Sequence, residues 1–237
     1  MKYTTIKSII FYFLLSLWTI FIGIIFIPFL LLPSSLLYRP AYIWINGIFI
    51  LLKLVCGITY KIKNKSNLLN FQGKIIASKH QSTFETLLLF YLIPKAIFIH
   101  KKELFFIPIF GQYLKKFNMI AIDRSRGLEA LKLSISKSKE RVNRGFSLII
   151  FPEGTRKKPG SKPNYKSGIA GIYEKLNSDV IPVALNSGLY WPNHTYVLKP
   201  GKIIIDFLPP IKKGKDKRNF LKDLQNLIED RSKELEN

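Results

Sequence analysis

Ser147-Leu148-Ile149-Ile150-Phe151-Pro152-Glu153-Gly154-Thr155-Arg156 is the stretch on which the reading of this chain turns. The apolar run Ser147 to Ile150 predicts a short buried strand. Pro152 and Gly154 then stop the strand and force a tight loop. Such a loop can present backbone N–H groups and one guanidinium, that of Arg156, to an anion. The Glu153 carboxylate stands two residues ahead of the Thr155 hydroxyl. Ligands of α/β sheets bind where strands end. Alone, the hexapeptide also reads as a simple strand-ending turn; the stretches before it weigh against that.

The chain has 237 residues, enough for one domain of ordinary size and an appendage. Apolar residues make up 48%, which excludes a disordered chain and allows a full core. Lys and Arg total 37 against 15 acidic residues, a net charge of +22. That balance implies an anionic partner: nucleic acid, anionic lipid or a phosphorylated substrate. Part of it is background, since Ile, Lys and Asn are abundant throughout. The single cysteine, Cys56, has no internal disulfide partner and reads as buried filler. No Cys/His cluster has metal-ligand spacing, and neither G-x-G-x-x-G nor G-x-x-x-x-G-K-[ST] occurs.

Ile9 to Leu32 is an uncharged run of 24 residues. As a helix it reaches roughly 36 Å, enough for a bilayer core of about 30 Å. A signal peptide competes, because Lys2 and Lys7 precede the run, but the apolar part is long and a small-x-small cleavage site is lacking. The expectation is a retained anchor. Pro33-Ser34-Ser35 ends it and Arg39-Pro40 marks a turn. A second apolar helix is predicted from about Ala41 to Gly57, either spanning or returning to the same face as half of a shallow hairpin. Trp18, Trp44, Tyr38 and Tyr42 suit the headgroup zone.

From Ile58 short β-rich runs alternate with amphipathic stretches, the pattern of an α/β sheet domain. Two regions follow: anchoring helices over 1–57 and an α/β domain over 58–237, the part that carries the candidate chemistry. Strands are expected at Ile58–Ile62, Lys74–Ala77, Ala96–Ile99, Met119–Ile122, Ser147–Phe151, Val180–Leu185 and Lys202–Phe207. Helices are expected at Thr83–Leu92, at Pro108–Phe117 with an interruption at Gly111, and at Gly127–Val142 with Leu128, Leu131, Ile135 and Val142 on one face. Two more are expected at Ser167–Leu176 and at Asp216–Leu235, the last with Phe220, Leu224, Leu227 and Ile228 inward.

Of the three histidines, His100 lies in an apolar strand and His194 in a Trp-Pro-Asn loop, both structural settings. His80 follows a strand and precedes a helix, in Ser78-Lys79-His80-Gln81-Ser82-Thr83-Phe84-Glu85. A carboxylate at Glu85 can fold back onto one imidazole nitrogen and leave the other to take a proton. Glu85 equally reads as a helix N-terminal acid favoured by the macrodipole. Lys102, after one strand, and Arg124, after Ile122-Asp123, place cations at strand ends, near where the Phe151 loop emerges. Each alone is ordinary solvated surface. Together they describe a base beside a phosphate-binding pocket, for which the forked donors of Arg are suited.

On these residues the chain resembles the glycerophospholipid acyltransferase family, and within it the 1-acyl-sn-glycerol-3-phosphate acyltransferases. His80 to Glu85 matches the family's His-x-x-x-x-Asp block. Lys102 with Gly111 and Ile122-Asp123-Arg124 match the second block. Phe151 to Arg156 matches Phe-Pro-Glu-Gly-Thr-Arg at every position, and Val180-Ile181-Pro182-Val183-Ala184 matches the apolar-Pro-apolar strand. Lys166-Ser167-Gly168 fits the helix start after the third block. The departure is Glu85, where the family usually has Asp.

The resemblance implies an α/β fold with a mostly parallel, mixed sheet flanked by helices and an N-terminal hydrophobic hairpin. It implies acyl transfer from acyl-coenzyme A or acyl carrier protein to the sn-2 hydroxyl of lysophosphatidic acid, giving phosphatidic acid. His80 is then the base and Glu85 its orienting carboxylate. Lys102, Arg124 and Arg156 bind the phosphate. Glu153, with Gly154 and Thr155, braces the loop or holds one of these cations. Glycerol-3-phosphate or a lyso-aminolipid is the alternative acceptor. No cofactor or metal is expected. The partners are membrane lipids and an acidic carrier protein, with no nucleic acid, since no basic stripe with stacking aromatics is present. The site is expected at the cytoplasmic face of a bacterial inner membrane, because the positive charge lies after the apolar segments.

Overall fold

The structure, a computed structural model, describes residues 2–68 and 73–237. Seven strands form one sheet: β1 (Ile58–Lys63), β2 (Ile75–Ser78), β3 (Ala96–Lys101), β4 (Ile120–Ile122), β5 (Ser147–Ile150), β6 (Val180–Leu185) and β7 (Gly201–Phe207). Their order is β1-β7-β6-β2-β5-β3-β4. Neighbours run parallel except β6 and β7, so β1 and β7 oppose the other five. β2, β5 and β6 are buried at every position. Strands covered on both faces read as unbroken apolar runs, which is how these three look in the sequence.

The helices are α1 (Lys2–Ile25), α2 (Ser34–Leu51), α3 (Phe84–Leu92), α4 (Phe110–Lys116), α5 (Leu128–Asn143), α6 (Gly168–Leu176) and α7 (Lys217–Glu236). Asp216 caps α7, accepting from the N–H groups of Arg218 and Asn219 at 3.0 Å each. Its inner stripe is Phe220, Leu224 and Ile228, all fully buried, whereas Leu227 is exposed, contrary to expectation. In α5 the buried positions are Ala130, Ser134 and Ser138, and Leu128 lies outside. There a small-residue stripe sits closest to the sheet, with Ile135 and Val142 packed only at its flank. Gly111 does not interrupt α4. A Cβ there would stand 2.1 Å from the carbonyl oxygen of Phe105, so the glycine serves a close backbone approach.

The N-terminal helices also depart from expectation. α1 stops at Ile25, ahead of a 3₁₀ turn (Ile27–Leu31) that contains Pro28, whose ring and missing N–H oppose helical continuation. α2 starts at Ser34 and runs through Pro40, which is buried inside it rather than marking a turn. Pro40 deletes one hydrogen bond, but Leu37, Ile45 and Ile48 dock the helix firmly enough to carry it across. A π-helical turn, Leu52–Cys56, completes it.

α1 and α2 form an antiparallel pair laid along the α/β domain. Near the start of α1, Ser8 Oγ accepts from Leu198 N at 2.9 Å, and Phe11 meets Trp191 edge-on at 5.5 Å. At the tip, Tyr113 OH donates to Phe26 O at 2.7 Å and Lys116 Nζ to Leu32 O at 3.3 Å. Tyr38 packs on Phe90 and Phe117, and Phe49 on Phe84. Trp18 donates to the Trp44 carbonyl at 2.9 Å and Trp44 to Thr19 Oγ1 at 3.0 Å. These rings are spent on docking and helix pairing. The inner face of the hairpin joins the core of the domain; Ile9, Phe13, Leu17, Ile20, Ile24 and Leu31 remain exposed on the outer face.

Candidate active site

Parallel register assembles the site. Ala77 on β2 pairs with Ile150 on β5 and with Pro182 on β6. His80 and Glu153 each lie three residues beyond that line, so they leave the sheet at the same level. β3, β4 and β6 deliver Lys102, Arg124 and Ser187 to the same edge.

His80 Nδ1 is 2.9 Å from Glu85 Oε1. A carboxylate only accepts, so Nδ1 carries the hydrogen and Nε2 keeps its lone pair. Glu85 sits in the first turn of α3 with no exposed surface. Its Oε1 also accepts from the N–H groups of Gln81 and Ser82 at 2.7 Å each. Its Oε2 accepts from Ser187 Oγ at 2.7 Å. The imidazole stacks on Phe151, centroids 3.8 Å apart and planes 14° from parallel. Both ring orientation and tautomer are therefore set by neighbours.

The Phe151 loop is tied to the His80 peptide from two sides. His80 N donates to Glu153 Oε2 at 2.8 Å, and Lys157 N donates to His80 O at 2.8 Å. Gly154 takes φ of +67°, and its carbonyl accepts from Arg124 Nη1 at 2.8 Å. Thr155 and Arg156 are exposed. Among the described residues the Arg156 guanidinium has no hydrogen-bond or ion-pair partner. It lines a cleft of ≈330 Å³ between domain and hairpin, together with Leu15, Thr19, Trp44, Ile48, Thr83 and Leu87.

Lys102 does not stand free. Its Nζ is 2.5 Å from Asp123 Oδ2, and this lysine, with the hydroxyl and N–H of Ser125, holds the half-buried Asp123 carboxyl down to about 2. The three expected cations thus differ: Lys102 is paired with Asp123, Arg124 braces the loop, and Arg156 faces the cleft.

Glu153 braces the loop, but the cation it holds is one that the sequence reading did not single out. Lys79 Nζ, 3% exposed, lies 2.9 Å from Glu153 Oε1, an ion pair by distance rather than an aligned hydrogen bond. It also donates to Glu229 Oε1 and Oε2 of α7 at 2.7 Å each. Burial alone would pull the ammonium pKa down; Glu153 and Glu229 together outweigh it and hold it above the ordinary lysine value. Burial pushes Glu153 up against the pull of Lys79. Ser187, Gln81 and Glu229 were missed for the same reason: isolated polar residues show no periodicity or motif. Lys79 had the one available signal, a lysine beside an apolar strand that is buried throughout. Among the described residues no cluster of His, Cys, Asp and Glu could hold a metal ion.

An α/β sheet that presents an oriented imidazole–carboxylate pair beside a basic loop defines a class of enzyme that activates a hydroxyl for group transfer. The chain belongs to the Acyltransferase family, whose model matches residues 59–186, more than half of the protein. It is 34% identical over 200 residues to the 1-acyl-sn-glycerol-3-phosphate acyltransferase of Pseudomonas aeruginosa, covering 84% of this chain and 77% of that one. It is 34% identical to the enzyme of the same name from Cocos nucifera, covering 58% of this chain and 46% of that one. Its fold is that of the Thermotoga maritima 1-acyl-sn-glycerophosphate (LPA) acyltransferase PlsC, with a TM-score of 0.73 over 98% of this chain and 97% of that one at 23% identity. The α/β architecture and the apolar helical hairpin expected from the sequence are both present.

Proposed function

We propose that this protein transfers an acyl chain from an acyl thioester to the sn-2 hydroxyl of 1-acyl-glycerol-3-phosphate, releasing phosphatidic acid and a free thiol. The observation that carries this reading is the His80–Glu85 pair at 2.9 Å, with no partner for Nε2 among the described residues and the Phe151–Arg156 loop bonded directly to the His80 peptide. His80 Nε2 takes the hydroxyl proton as the oxygen attacks the thioester carbonyl. Glu85 stabilises the imidazolium that forms. When the tetrahedral intermediate collapses, the C–S bond breaks and the imidazolium returns its proton to the sulfur. The substrate hydroxyl does what a serine would otherwise do, so no acyl-enzyme forms.

Arg156 offers its fork to the acceptor phosphate from the wall of the cleft, which Leu15, Ile48 and Leu87 line with apolar surface. Lys102 and Arg124 keep donors beyond those used by Asp123 and Gly154 and add positive potential. The donor is acyl-coenzyme A or acyl carrier protein, drawn by the net charge of +22.

The protein is membrane-associated, and two of its helices are long and apolar enough to cross a membrane. Their docking favours the shallow hairpin, because both ends of α1 bond to the catalytic domain, at Ser8 and at Phe26. The exposed apolar face continues from the hairpin over Phe106, Ile107 and Phe110. Such a slab sinks into one leaflet and sets the cleft at the level where lysolipids reside. That leaflet is the cytoplasmic one of a bacterial inner membrane, given the basic domain on that side.

Purified protein supplied with lysophosphatidate and either palmitoyl-coenzyme A or palmitoyl carrier protein is expected to release free thiol and form phosphatidate. His80→Ala is expected to stop both. Absence of thiol from either donor, or a His80→Ala variant that still turns over, overturns the reading.

A further inference from the structure

We infer that α7 is a working part of the active site: Glu229 and Glu236 are positioning residues that grip the two neighbours of His80 in the chain. The inference rests on His80 acting as base in acyl transfer. Lys79 and Gln81 flank that histidine, and each is held by a glutamate from the C-terminal half of α7. Both carboxylate oxygens of Glu229 accept from Lys79 Nζ at 2.7 Å. Glu236 Oε1 accepts from Gln81 Nε2 at 2.6 Å. Past the end of β2, Lys79 and Gln81 reach α7 while the imidazole between them faces Phe151 and Glu85.

The same helix face closes on the rest of the site. Tyr165 OH donates to Glu229 Oε1 at 2.9 Å, and Gly160 N donates to Glu236 Oε2 at 3.1 Å, both from the segment following Arg156. Asn186, next to the Ser187 that holds Glu85, donates to the Leu235 carbonyl at 2.9 Å. Three separate stretches of the site are thus referenced to one rigid helix. The family model ends at residue 186, well before α7 begins at Lys217, so the two glutamates lie outside the matched residues while the groups they grip lie inside.

Chemistry argues that the brace serves more than folding. Lys79 is 3% exposed and Gln81 fully buried. A buried ion pair is rarely more stable than an apolar pair of the same shape, so its merit is geometric. Loss of the grip lets the His80 peptide drift, and displacements near 1 Å at a reacting group cost about 10²-fold in rate.

The test uses the full chain in detergent micelles with lysophosphatidate and palmitoyl-coenzyme A, recording kcat, both KM values and the thermal midpoint. Glu229→Gln and Glu236→Gln are each expected to lower kcat by about tenfold or more with KM changed less than about twofold, the signature of an interaction expressed in the transition state. Glu229→Asp is expected to recover part of the loss. The pair Lys79→Met/Glu229→Leu, which leaves the buried Glu153 without its cation, is expected to lower both the thermal midpoint and kcat. Leu224→Ala, in the core of the same helix, is expected to lower the midpoint and leave kcat of the folded enzyme unchanged. Wild-type kcat in both Gln variants overturns the inference. So does wild-type kcat in the Lys79→Met/Glu229→Leu pair, a rise in KM alone, or an equal fall of kcat in Leu224→Ala. A wild-type protein that releases no thiol removes the acyl-transfer reading itself, a result distinct from these.

Discussion

The Glu85 carboxylate receives hydrogen bonds from His80, from two backbone N–H groups and from Ser187, so both of its oxygens are engaged by donors. Glu85→Gln turns one oxygen into an amide that faces donors. It either turns its NH2 toward Ser187, whose hydroxyl can accept, and removes the charge that stabilises the imidazolium, or presents N–H to His80 and selects the wrong tautomer. A fall in kcat of roughly 10²- to 10⁴-fold is expected. Glu85→Asp keeps the acceptor but retracts it by one methylene, so it holds His80 or Ser187 but not both. It is expected to keep much more of the rate than Glu85→Gln, and equal steady-state rates for the two would refute the pairing. Gly154 is a second such residue. At φ +67° a Cβ is disfavoured by about 1 kcal/mol, and the carbonyl that Arg124 grips would turn with it. Gly154→Ala is expected to lower the thermal midpoint and to weaken lysophosphatidate binding, read as a raised acceptor KM.

Elements impose constraints that no single side chain reveals. α4 begins where Phe105 turns back on it. A methyl group added at Gly111 would stand 2.1 Å from the Phe105 carbonyl oxygen, which belongs to backbone that cannot rotate away. Gly111→Ala is expected to destabilise the fold by about 1–3 kcal/mol through overpacking, measured by denaturant unfolding in detergent. The contact between the end of β2 and α7 gives a pH signature. Lys79 has a folded pKa above its unfolded value, held there against burial by Glu153 and Glu229. Its contribution to stability is complete below about pH 10.4 and is lost as pH rises from there through the folded pKa. Thermal midpoints of Lys79→Met/Glu229→Leu are expected to fall less steeply than wild type across that alkaline window; parallel curves would show that the pair does not contribute.

At the scale of the whole molecule, hairpin and domain share one core, so the way the helices meet the bilayer fixes where the cleft sits. In a Cys56→Ser background, cysteines introduced at Tyr3 and Ser35 mark the two ends of α1 and its turn. An impermeant maleimide applied to oriented membrane vesicles is expected to label both from the catalytic-domain side. Labelling from opposite sides would mean that α1 crosses. Legible in the chain before folding were the alternation of strand and helix after residue 57, the order of the motif blocks, the two apolar segments and the net charge. Each is written locally, in periodicity, in Pro and Gly punctuation, or in composition. The errors were equally local: Pro40 looked like a turn because the packing of Leu37, Ile45 and Ile48 that carries the helix past it involves other segments. Three-dimensional packing was needed to lay the hairpin along the domain, to pair Lys102 with Asp123 while Arg156 faces the cleft, and to give Lys79 to Glu153. It alone brought Ser187 and Glu229 to within bonding reach of Glu85 and Lys79, across 102 and 150 residues of chain. Contacts over such separations leave no period to read, because what brings them together is parallel strand register and the burial of an entire helix face.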